Sequence, residues 1–340
     1  MRELLIYRHG HAQAQAHDQA ESNQSDIERE LRDKGKRNAQ RIGIWLARNN
    51  LLPDRVISSP AVRARRTAEK TIKTAGMHAG QIIIDPAIYQ AELDDLLYLI
   101  KSLPDEINRV MLVGHNPSLE DLLKYLCWNP LPKNKKGHLL SPAALAWLQL
   151  DVDWKEVEAK TAELKTTVFP KTLPRLFPFP GIDNKESRSR PAYYYRQSAV
   201  VPFRINNGAI EVLIITSSKN RHWVIPKGIH DPGLSARESA AKEAFEEAGA
   251  TGEVLPELLG EYSYPKWDAH CDVKVYPLRV TNMTSQEQWQ ESHRQRRWVS
   301  VEEGMAQVEN PDVSRMISLL PKYLTQYPTN HPADYGEQHF

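Results

Sequence analysis

Three glutamates lie close together in the stretch AKEAFEEAGA, residues 241–250. Glu243, Glu246 and Glu247 are spaced i, i+3 and i+4, so a helix would place them on one face, where like charges repel one another. The apolar stretch WVIPKG precedes this helix, and Gly249 ends it. Bunched carboxylate oxygens are the ligands that Mg²⁺ or Mn²⁺ prefers, and such a cation would offset the repulsion. The spacing therefore predicts a divalent-metal site.

A second set of reactive side chains follows three apolar, strand-like stretches. Arg8, His9 and Gly10 come directly after the first stretch, Arg63 opens a helix after the second, and His115 follows the third. A neutral imidazole can attack phosphorus, an arginine can bind phosphate oxygens through two hydrogen bonds, and a helix N-terminus favours anions. The tripeptide alone could be a half-buried histidine at a strand end. The two further strand ends favour a phosphate pocket with a nucleophile.

Alternating strands and helices position this pocket. Short runs of branched apolar residues alternate with helical spacing, which predicts an α/β domain of three layers, a mostly parallel sheet with helices on both faces. Ligands collect at the carboxyl ends of such strands. We expect buried strands at 4–7, 55–59, 81–85 and 109–115, helices at 28–48, 61–75, 93–103 and 118–127, and added antiparallel strands at 144–151 and 163–169.

Composition changes after this α/β part of the chain. Residues 169–191 hold five prolines and five basic residues without helical or strand periodicity, and we interpret 171–192 as an interdomain linker. The remainder has more strands than helices, which indicates an α+β domain. The predicted domains are 1–170 and 193–330, and in the second we expect a helix over Ser235–Ala248 and another over 312–324.

The first site resembles the histidine phosphatase superfamily, specifically its small SixA-like phosphohistidine phosphatase branch. The stretches LLIYRHGHA, SSPAVRARRTAE and LVGHNPSLEDLL carry this resemblance over about residues 1–170. The resemblance implies that His9 forms a phosphohistidine intermediate without a metal or cofactor. It also implies that Arg8, Arg63 and His115 bind the phosphoryl group and stabilise its transition state.

Larger members of that family take a proton-donating acid from an inserted segment, which this chain lacks. Glu92, Asp18 and His11 are loose candidates for that role. A missing acid favours substrates with good leaving groups, such as a phosphohistidine or a phosphoanhydride. The alternative is a phosphate-binding module without catalysis.

Residues 228–250 resemble the Nudix box, with Gly228, the three glutamates and Gly249 in register. The resemblance implies that Glu246 and Glu247 coordinate Mg²⁺ or Mn²⁺, and that Glu243 coordinates it or helps to activate water. The reaction implied is hydrolysis of a nucleoside or other organic diphosphate linked to a further group.

Two positions depart from the Nudix pattern. Leu234 stands where the family has a glutamate, for which Glu238 is a partial replacement, and Lys242 stands where the family has an arginine. Lysine keeps the charge but loses the planar fork of an arginine. Glu238 and Lys242 also form an i, i+4 pair, as on ordinary solvated helix faces. An active hydrolase and a degenerate Nudix-like binding domain are therefore both open.

The sequence around the Nudix box looks like the subgroup that acts on diadenosine polyphosphates and diphosphoinositol polyphosphates. Basic side chains could line the path of such an anionic ligand, although each taken singly is more often an ordinary surface residue. Oxidised nucleoside triphosphates are the competing substrate class, and a base would stack on Tyr264, Trp267 or Trp223. The basic candidates are Arg196, Arg204, Arg221, Lys227 and Lys266.

Composition limits the other classes of function. The 340 residues carry 44 basic and 43 acidic side chains, a net charge of +1, which argues against a nucleic acid polymer or a membrane as partner. Two cysteines form no disulfide framework, and the N-terminus has an apolar run too short for a signal peptide. We expect a cytoplasmic protein.

Three hypotheses cover both sites. The first, which we favour, is a bifunctional phosphohydrolase acting on small phosphorylated substrates. The second is a phosphatase of a phosphohistidine partner protein, with a Nudix domain that senses a nucleotide without cleaving it. The third is a regulatory binding protein with two degenerate sites, against which the intact His9 and the Glu246–Glu247 pair argue.

Overall fold

The computed structural model describes residues 1–14, 25–134 and 137–327, and the chain forms two compact units, Met1–Pro191 and Ala192–Phe340. Asp18, one of the candidate proton donors, lies outside the described residues. No helix in the described part of the chain combines the length and the apolar character needed to cross a membrane.

Strands and helices alternate through most of the first unit, and two strand pairs follow. In chain order the elements are β1 (Arg2–Arg8), α1 (Asp33–Arg48), β2 (Arg55–Ser58), α2 (Val62–Thr74), β3 (Ile82–Ile84), α3 (Leu93–Lys101), β4 (Arg109–Gly114), α4 (Ser118–Leu126), β5 (Leu145–Leu150), β6 (Ala162–Val168), β7 (Phe177–Phe179) and β8 (Glu186–Arg188).

A six-stranded sheet in the order β3-β2-β4-β1-β5-β6 forms the centre of this unit. The first four strands in that order are parallel, and β5 and β6 extend the sheet in antiparallel pairing. Alternate residues of a strand point to opposite faces. Leu4 accordingly packs with α3 and α4, whereas Leu5 packs with α1 and α2. The α/β prediction with helices on both faces is confirmed.

Two predicted elements differ from the structure. Strand β3 is not buried, because it lies at the sheet edge and leaves Ile83 and Ile84 45% and 42% exposed. Helix α1 begins at Asp33 rather than at residue 28, and Asp26–Glu28 form a separate 3₁₀ turn. That turn directs Asp26 toward Arg63.

The segment interpreted as a linker contains the antiparallel hairpin β7–β8, and residues 171–191 belong to the first unit. Phe177 is buried, and α1 holds the hairpin through hydrogen bonds from Arg37 to the Ser189 carbonyl and from Arg48 to the Ile182 carbonyl. The single buried aromatic side chain and long-range arginine contacts carry no periodic signal, so the sequence pattern gave no indication of this packing.

The second unit has more strands than helices, as predicted. Its elements are β9 (Arg196–Asn206), β10 (Ala209–Thr216), β11 (Trp223–Val224), β12 (Lys227–Ile229), α5 (Ala236–Ala248), β13 (Ala250–Val254), β14 (Gly260–Lys266), β15 (Ala269–Met283), β16 (Arg296–Ser300), α6 (Val301–Gln307) and α7 (Pro311–Gln326).

Helices cover both faces of an eight-stranded sheet in this unit. The sheet follows the order β11-β10-β9-β15-β13, with β12, β14 and β16 paired to β9, β15 and β10. Helix α5 packs on one face through the small residues Ala240 and Ala244, and α7 packs on the other through Met316 and Leu320. The sequence pattern missed β13, because Gly252 and Glu253 break its apolar alternation, and it missed α6.

We predict that Gly43→Ala destabilises the first unit by about 1–3 kcal/mol. A Cβ atom at Gly43 of α1 would lie 2.2 Å from the Thr71 carbonyl oxygen of α2, so the two helices would have to separate. Urea unfolding measures the change, with Lys36→Ala on the same helix as a control expected within about 0.5 kcal/mol of wild type. Equal stability of the two variants would contradict this close helix packing.

Candidate functional site

Strand ends bring the first cluster of candidate residues together. Arg8 ends β1, His9 follows it, and His115 follows β4, the parallel neighbour of β1. Ser59 follows β2, the next strand, and Arg63 lies in the first turn of α2. Parallel strands end at one sheet edge, and the ring centres of His9 and His115 are 5.0 Å apart there.

His9 is held as a neutral imidazole with one nitrogen available for attack. Its Nδ1 lies 2.7 Å from the Gly10 carbonyl oxygen, which can only accept, so Nδ1 carries the proton and Nε2 carries the lone pair. Burial and the neighbouring His115 lower the pKa of His9 to about 3. A neutral, oriented imidazole is the form that can attack phosphorus.

His115 is also neutral at physiological pH, because burial and the positive charge of Arg63 lower its pKa to about 4. Its Nε2 lies 2.8 Å from the Ser59 hydroxyl, and its buried Nδ1 has no hydrogen-bond partner among the described residues. The Tyr89 ring packs edge-on against it. An unpartnered polar atom in a cationic pocket suits a ligand oxygen that reaches it.

Two arginines supply the positive charge of this pocket. Arg8 donates from Nη1 to the Leu140 carbonyl at 2.8 Å, and burial lowers the pKa of its guanidinium. Arg63 is 6% exposed and donates to the carbonyl and carboxylate of Asp26 at 2.6 and 2.9 Å. The Nε atoms of both arginines are buried and unpartnered within the described ranges. The guanidinium groups are fixed before any ligand arrives, which favours a tetrahedral anion.

Asp26, Ser59 and Tyr89 were not identified from the sequence. The Tyr89 hydroxyl donates to Asp26 at 2.9 Å, so this carboxylate connects the tyrosine to Arg63. Burial acts to raise the pKa of Asp26, but the hydrogen bonds from Tyr89 and Arg63 outweigh it and lower the pKa. Asp26 is therefore an ionised residue that orients Arg63.

The described candidates for a proton donor lie in different surroundings. Glu92 is exposed at the N-terminus of α3, where its backbone N–H donates to Asp95 at 2.9 Å. His11 is half-buried two residues beyond His9, and burial together with Lys34 lowers its pKa. These surroundings identify neither Glu92 nor His11 as the proton donor, so substrates with good leaving groups remain the best chemical match.

We predict that the first unit loses stability as pH falls from about 6.5 toward 4, with His9 contributing up to about 1.4 kcal/mol per pH unit. The folded-state pKa of His9 lies below its unfolded value, so the unfolded chain binds the proton first and acid favours unfolding. His9→Gln should therefore flatten the dependence of the unfolding free energy on pH in this window. An unchanged slope would contradict the burial of a neutral His9. Urea unfolding at several pH values, following the transition that Gly43→Ala shifts, gives the slope.

Helix α5 places the three glutamates of the second site. Ser235 caps its N-terminus, and Gly249, with φ of 63°, ends it. Glu243 packs directly against the backbone of Gly228, where a Cβ atom would lie 2.0 Å from the carboxyl carbon. Burial and the adjacent Glu247 raise the pKa of Glu243 to about 8. The positive charge around the Glu243 carboxylate is therefore too small to offset its burial and the repulsion from Glu247.

Cationic side chains hold the other two glutamates. Lys242 lies 3.1 Å from both Glu246 and Asp231, so it bridges α5 to the loop before it. Glu247 accepts from the backbone N–H of Lys227 at 2.9 Å and from the buried guanidinium of Arg294. Burial nevertheless leaves the pKa of Glu247 raised. Asp231 and Arg294 were not identified from the sequence, because their contacts join separate segments.

Leu234 and Lys242, the two positions that depart from the Nudix pattern, both have defined contacts in the structure. Leu234 accepts a hydrogen bond from His230 through its carbonyl at 2.8 Å, and Glu238 caps α5 by accepting from the Ser235 N–H at 2.7 Å. The exposed Glu238 is thus engaged in the helix cap. Asp231 is the acidic residue that pairs with Lys242, next to the glutamate cluster.

The donor chemistry of this cluster fits a divalent cation. Three carboxylates, two of them with raised pKa, provide the oxygen ligands that Mg²⁺ and Mn²⁺ bind. Within the described ranges, no group of three or more His, Cys, Asp or Glu side chains is already gathered around one point. Glu246 and Glu247 are instead engaged by Lys242 and Arg294.

A cavity of about 220 Å³ adjoins the second site. Lys227 lines it together with Trp223, Tyr262 and Tyr264. The Lys227 ammonium donates to Gln197 and to the Tyr264 hydroxyl at 3.0 and 2.9 Å, while burial and Lys266 lower its pKa to about 8. A cation beside aromatic rings suits a ligand that joins a planar ring to phosphates.

The remaining candidate ligand-binding residues are dispersed. Arg204 pairs with Glu211 at 2.6 Å and lies about 17 Å along β9 from Ala199, the residue that pairs with Lys227. Arg196 begins β9, and Arg221 is exposed in the loop after β10. The structure brings Lys227 and Lys266 together but not Arg204. Trp267 packs against Tyr194 and Lys266 at the β14–β15 turn.

We predict that Lys242→Met destabilises the second unit by about 1–3 kcal/mol, because it leaves the buried Asp231 carboxylate without its cation. Lys242→Arg, which keeps the charge, should lose much less. Urea unfolding compares the two variants through the transition that Gly43→Ala leaves unshifted. Should Lys242→Met prove as stable as Lys242→Arg, the bridge to Asp231 would have no structural role.

Comparisons with known proteins match both units. The NUDIX domain model matches residues 195–322, and the model of the histidine phosphatase superfamily (branch 1) matches residues 4–97. Nudix hydrolase 21, chloroplastic, of Arabidopsis thaliana is 37% identical over 131 residues, which cover 36% of this chain and 64% of that relative. Nudix hydrolase 17, mitochondrial, of the same plant is 32% identical over 149 residues, 39% of this chain and 77% of the relative.

Two further matches have lower identity. The asymmetrical bis(5'-nucleosyl)-tetraphosphatase of Sus scrofa is 27% identical over 118 residues, 34% of this chain and 80% of that relative. A structure of the protein histidine phosphatase SixA with tungstate is 21% identical with a TM-score of 0.41, and the match covers 50% of this chain and 98% of that one. The chain spans 64% and 60% of the length of two plant Nudix relatives.

Proposed function

The chain belongs to the Nudix hydrolases through its second unit and carries a histidine phosphatase superfamily domain in its first, and from this premise we propose that it is a bifunctional phosphohydrolase. The supporting observation is that each compact unit holds its own cluster of like charges. One cluster gathers arginines around a neutral histidine, and the other gathers glutamates on one helix.

In the first unit, the Nε2 atom of His9 attacks a phosphoryl group held by Arg8, Arg63 and His115. The P–O or P–N bond to the leaving group breaks as the N–P bond forms, and water then hydrolyses the phosphohistidine. The arginines and the orphaned Nδ1 of His115 contact the phosphoryl oxygens. Phosphohistidine, a phosphoanhydride or an activated phosphomonoester supplies the leaving group, since the Asp26 carboxylate beside the pocket is ionised and engaged by Arg63 and Tyr89.

In the second unit, Glu243, Glu246 and Glu247 would hold Mg²⁺ or Mn²⁺. Such a cation, when bound, neutralises phosphate charge and lowers the pKa of an attacking water. Lys227 binds a phosphate oxygen, and Arg294 orients Glu247. The reaction is hydrolysis of a phosphoanhydride in a nucleoside or organic polyphosphate.

The aromatic cavity favours a nucleotide over an inositol polyphosphate as the substrate. Trp223, Tyr262 and Tyr264 give the cavity an aromatic lining that suits a purine, whereas inositol has no planar ring. The relative named as a bis(5'-nucleosyl)-tetraphosphatase supports a diadenosine polyphosphate. We further propose small phosphorylated molecules as the partners, with a phosphohistidine protein as the second candidate, and the cytoplasm as the location.

One observation favours the sensing alternative, in which the second unit binds a nucleotide without cleaving it. Lys242 and Arg294 already neutralise Glu246 and Glu247, so they compete with a metal for the carboxylate oxygens. Tight metal-independent binding of a dinucleotide, without turnover, would favour that reading.

We predict that two substitutions separate the activities. His9→Ala should lower hydrolysis of p-nitrophenyl phosphate by about 10³-fold or more, because it removes the nucleophile, and should keep Mg²⁺-dependent cleavage of diadenosine tetraphosphate. Glu247→Gln should lower only the second activity, by about 100-fold, since it weakens a metal ligand. Phosphate and nucleotide release from the full-length protein measure both.

Loss of both activities in His9→Ala would disprove two independent sites. An unchanged rate in Glu247→Gln would remove the metal assignment, while leaving the first site intact. Glu238→Gln is the matched control on α5, because Glu238 caps the helix and should keep the diadenosine tetraphosphate rate within about twofold of wild type.

A further inference from the structure

The first unit contains a cavity that lies apart from the histidine cluster. It has a volume of about 510 Å³, within the range of small-molecule pockets, and lies between the C-terminal half of α1 and residues 173–187. None of the residues that carry the phosphatase proposal lines it. The N-terminal end of α1 lies near the histidine cluster instead, where Gly35 packs against Gly10, the residue after His9.

The length of α1 separates the two sites. At about 1.5 Å per residue, Arg41 and Arg48 lie about 9 and 20 Å along the helix from Gly35. The hairpin β7–β8 closes the cavity, and Arg48 fixes the loop of that hairpin through the Ile182 carbonyl at 3.1 Å. The cavity therefore belongs to the hairpin and not to the catalytic edge of the sheet.

Positive charge is concentrated at this cavity. Arg41, Arg48 and Lys185 line it against a single carboxylate, Asp183. Burial and the neighbouring Arg175 lower the pKa of Arg41, so a fourth cation adds to the local field. Like charges brought together in this way repel one another unless an anion binds between them.

The floor of the cavity is apolar and aromatic. Trp45 and Phe177 line it, and Leu176 remains 54% exposed beside them. Aromatic faces and arginine planes stack on planar rings, whereas the cations suit phosphate oxygens. A ligand that has both a planar ring and phosphates contacts the apolar floor and the cations at the rim of the cavity at the same time.

We propose that this cavity binds a nucleotide, with its base on Trp45 and Leu176 and its phosphate on Arg41, Arg48 and Lys185. The site is a binding site in the phosphatase unit, separate from both hydrolytic clusters. Because residues 173–187 supply most of its lining, nucleotide binding further stabilises these residues against α1.

Hydrogen exchange with 5'-AMP tests the proposal on the full-length protein in EDTA. AMP should protect amides in residues 173–187, and Lys185→Glu should weaken that protection about tenfold in AMP concentration, because it reverses a rim charge. Lys133→Glu, an exposed lysine outside the cavity, changes the net charge equally and should match wild type. Arg41→Leu is a second variant that should also weaken binding.

Each ligand and variant in the experiment tests a different part of the proposal. No protection of residues 173–187, or equal protection in Lys185→Glu and Lys133→Glu, would overturn the site. Inorganic phosphate protecting as well as AMP would overturn the role of the base, and adenosine protecting as well as AMP would overturn the role of the phosphate. Hydrolysis of p-nitrophenyl phosphate by the same samples reports on the phosphatase cluster independently, so the two proposals fail separately.

Discussion

Like charges held together away from water are the constraint on which both clusters depend. Desolvation makes each of them costly until an ion of opposite charge arrives. In the first unit, Arg8 and Arg63 surround two histidines that burial keeps neutral, so the pocket has excess positive charge. In the second, burial and the adjacent Glu247 raise the pKa of Glu243. The first pocket is therefore complementary to a phosphate, and the second is complementary to a metal ion.

Rigid elements keep these charges in place. The parallel strands β1, β2 and β4 end at one edge, which brings Arg8, His9 and His115 together. The second cluster depends on a glycine, because only Gly228 lets the Glu243 carboxyl group lie against the backbone. Orienting residues complete both arrangements: Asp26 holds Arg63, and Arg294 holds Glu247. Such pre-organisation lowers the cost of binding an anion or a cation.

Periodicity could predict the parts of the fold whose residues are close in sequence. The runs before His9 and His115 mark buried strands, and the capping of α5 by Ser235 and Gly249 could be read from residue types. The orienting residues could not be predicted in this way. Asp26 meets Arg63 across 37 residues and Arg294 meets Glu247 across 47, and a contact at such separation leaves no local pattern. Hairpin β7–β8 was missed because its strands are short and its contacts to Arg37 and Arg48 of α1 are long-range.

Cleavage of diadenosine tetraphosphate by the wild-type protein, with graded Mg²⁺ and with EDTA, shows whether the second unit is a metal-dependent hydrolase. We expect nucleotide release that rises with Mg²⁺ and stops in EDTA, since the glutamates of α5 would need a cation to act on a phosphoanhydride. Equal release in Mg²⁺ and in EDTA, or tight binding of the dinucleotide without any release, would contradict it.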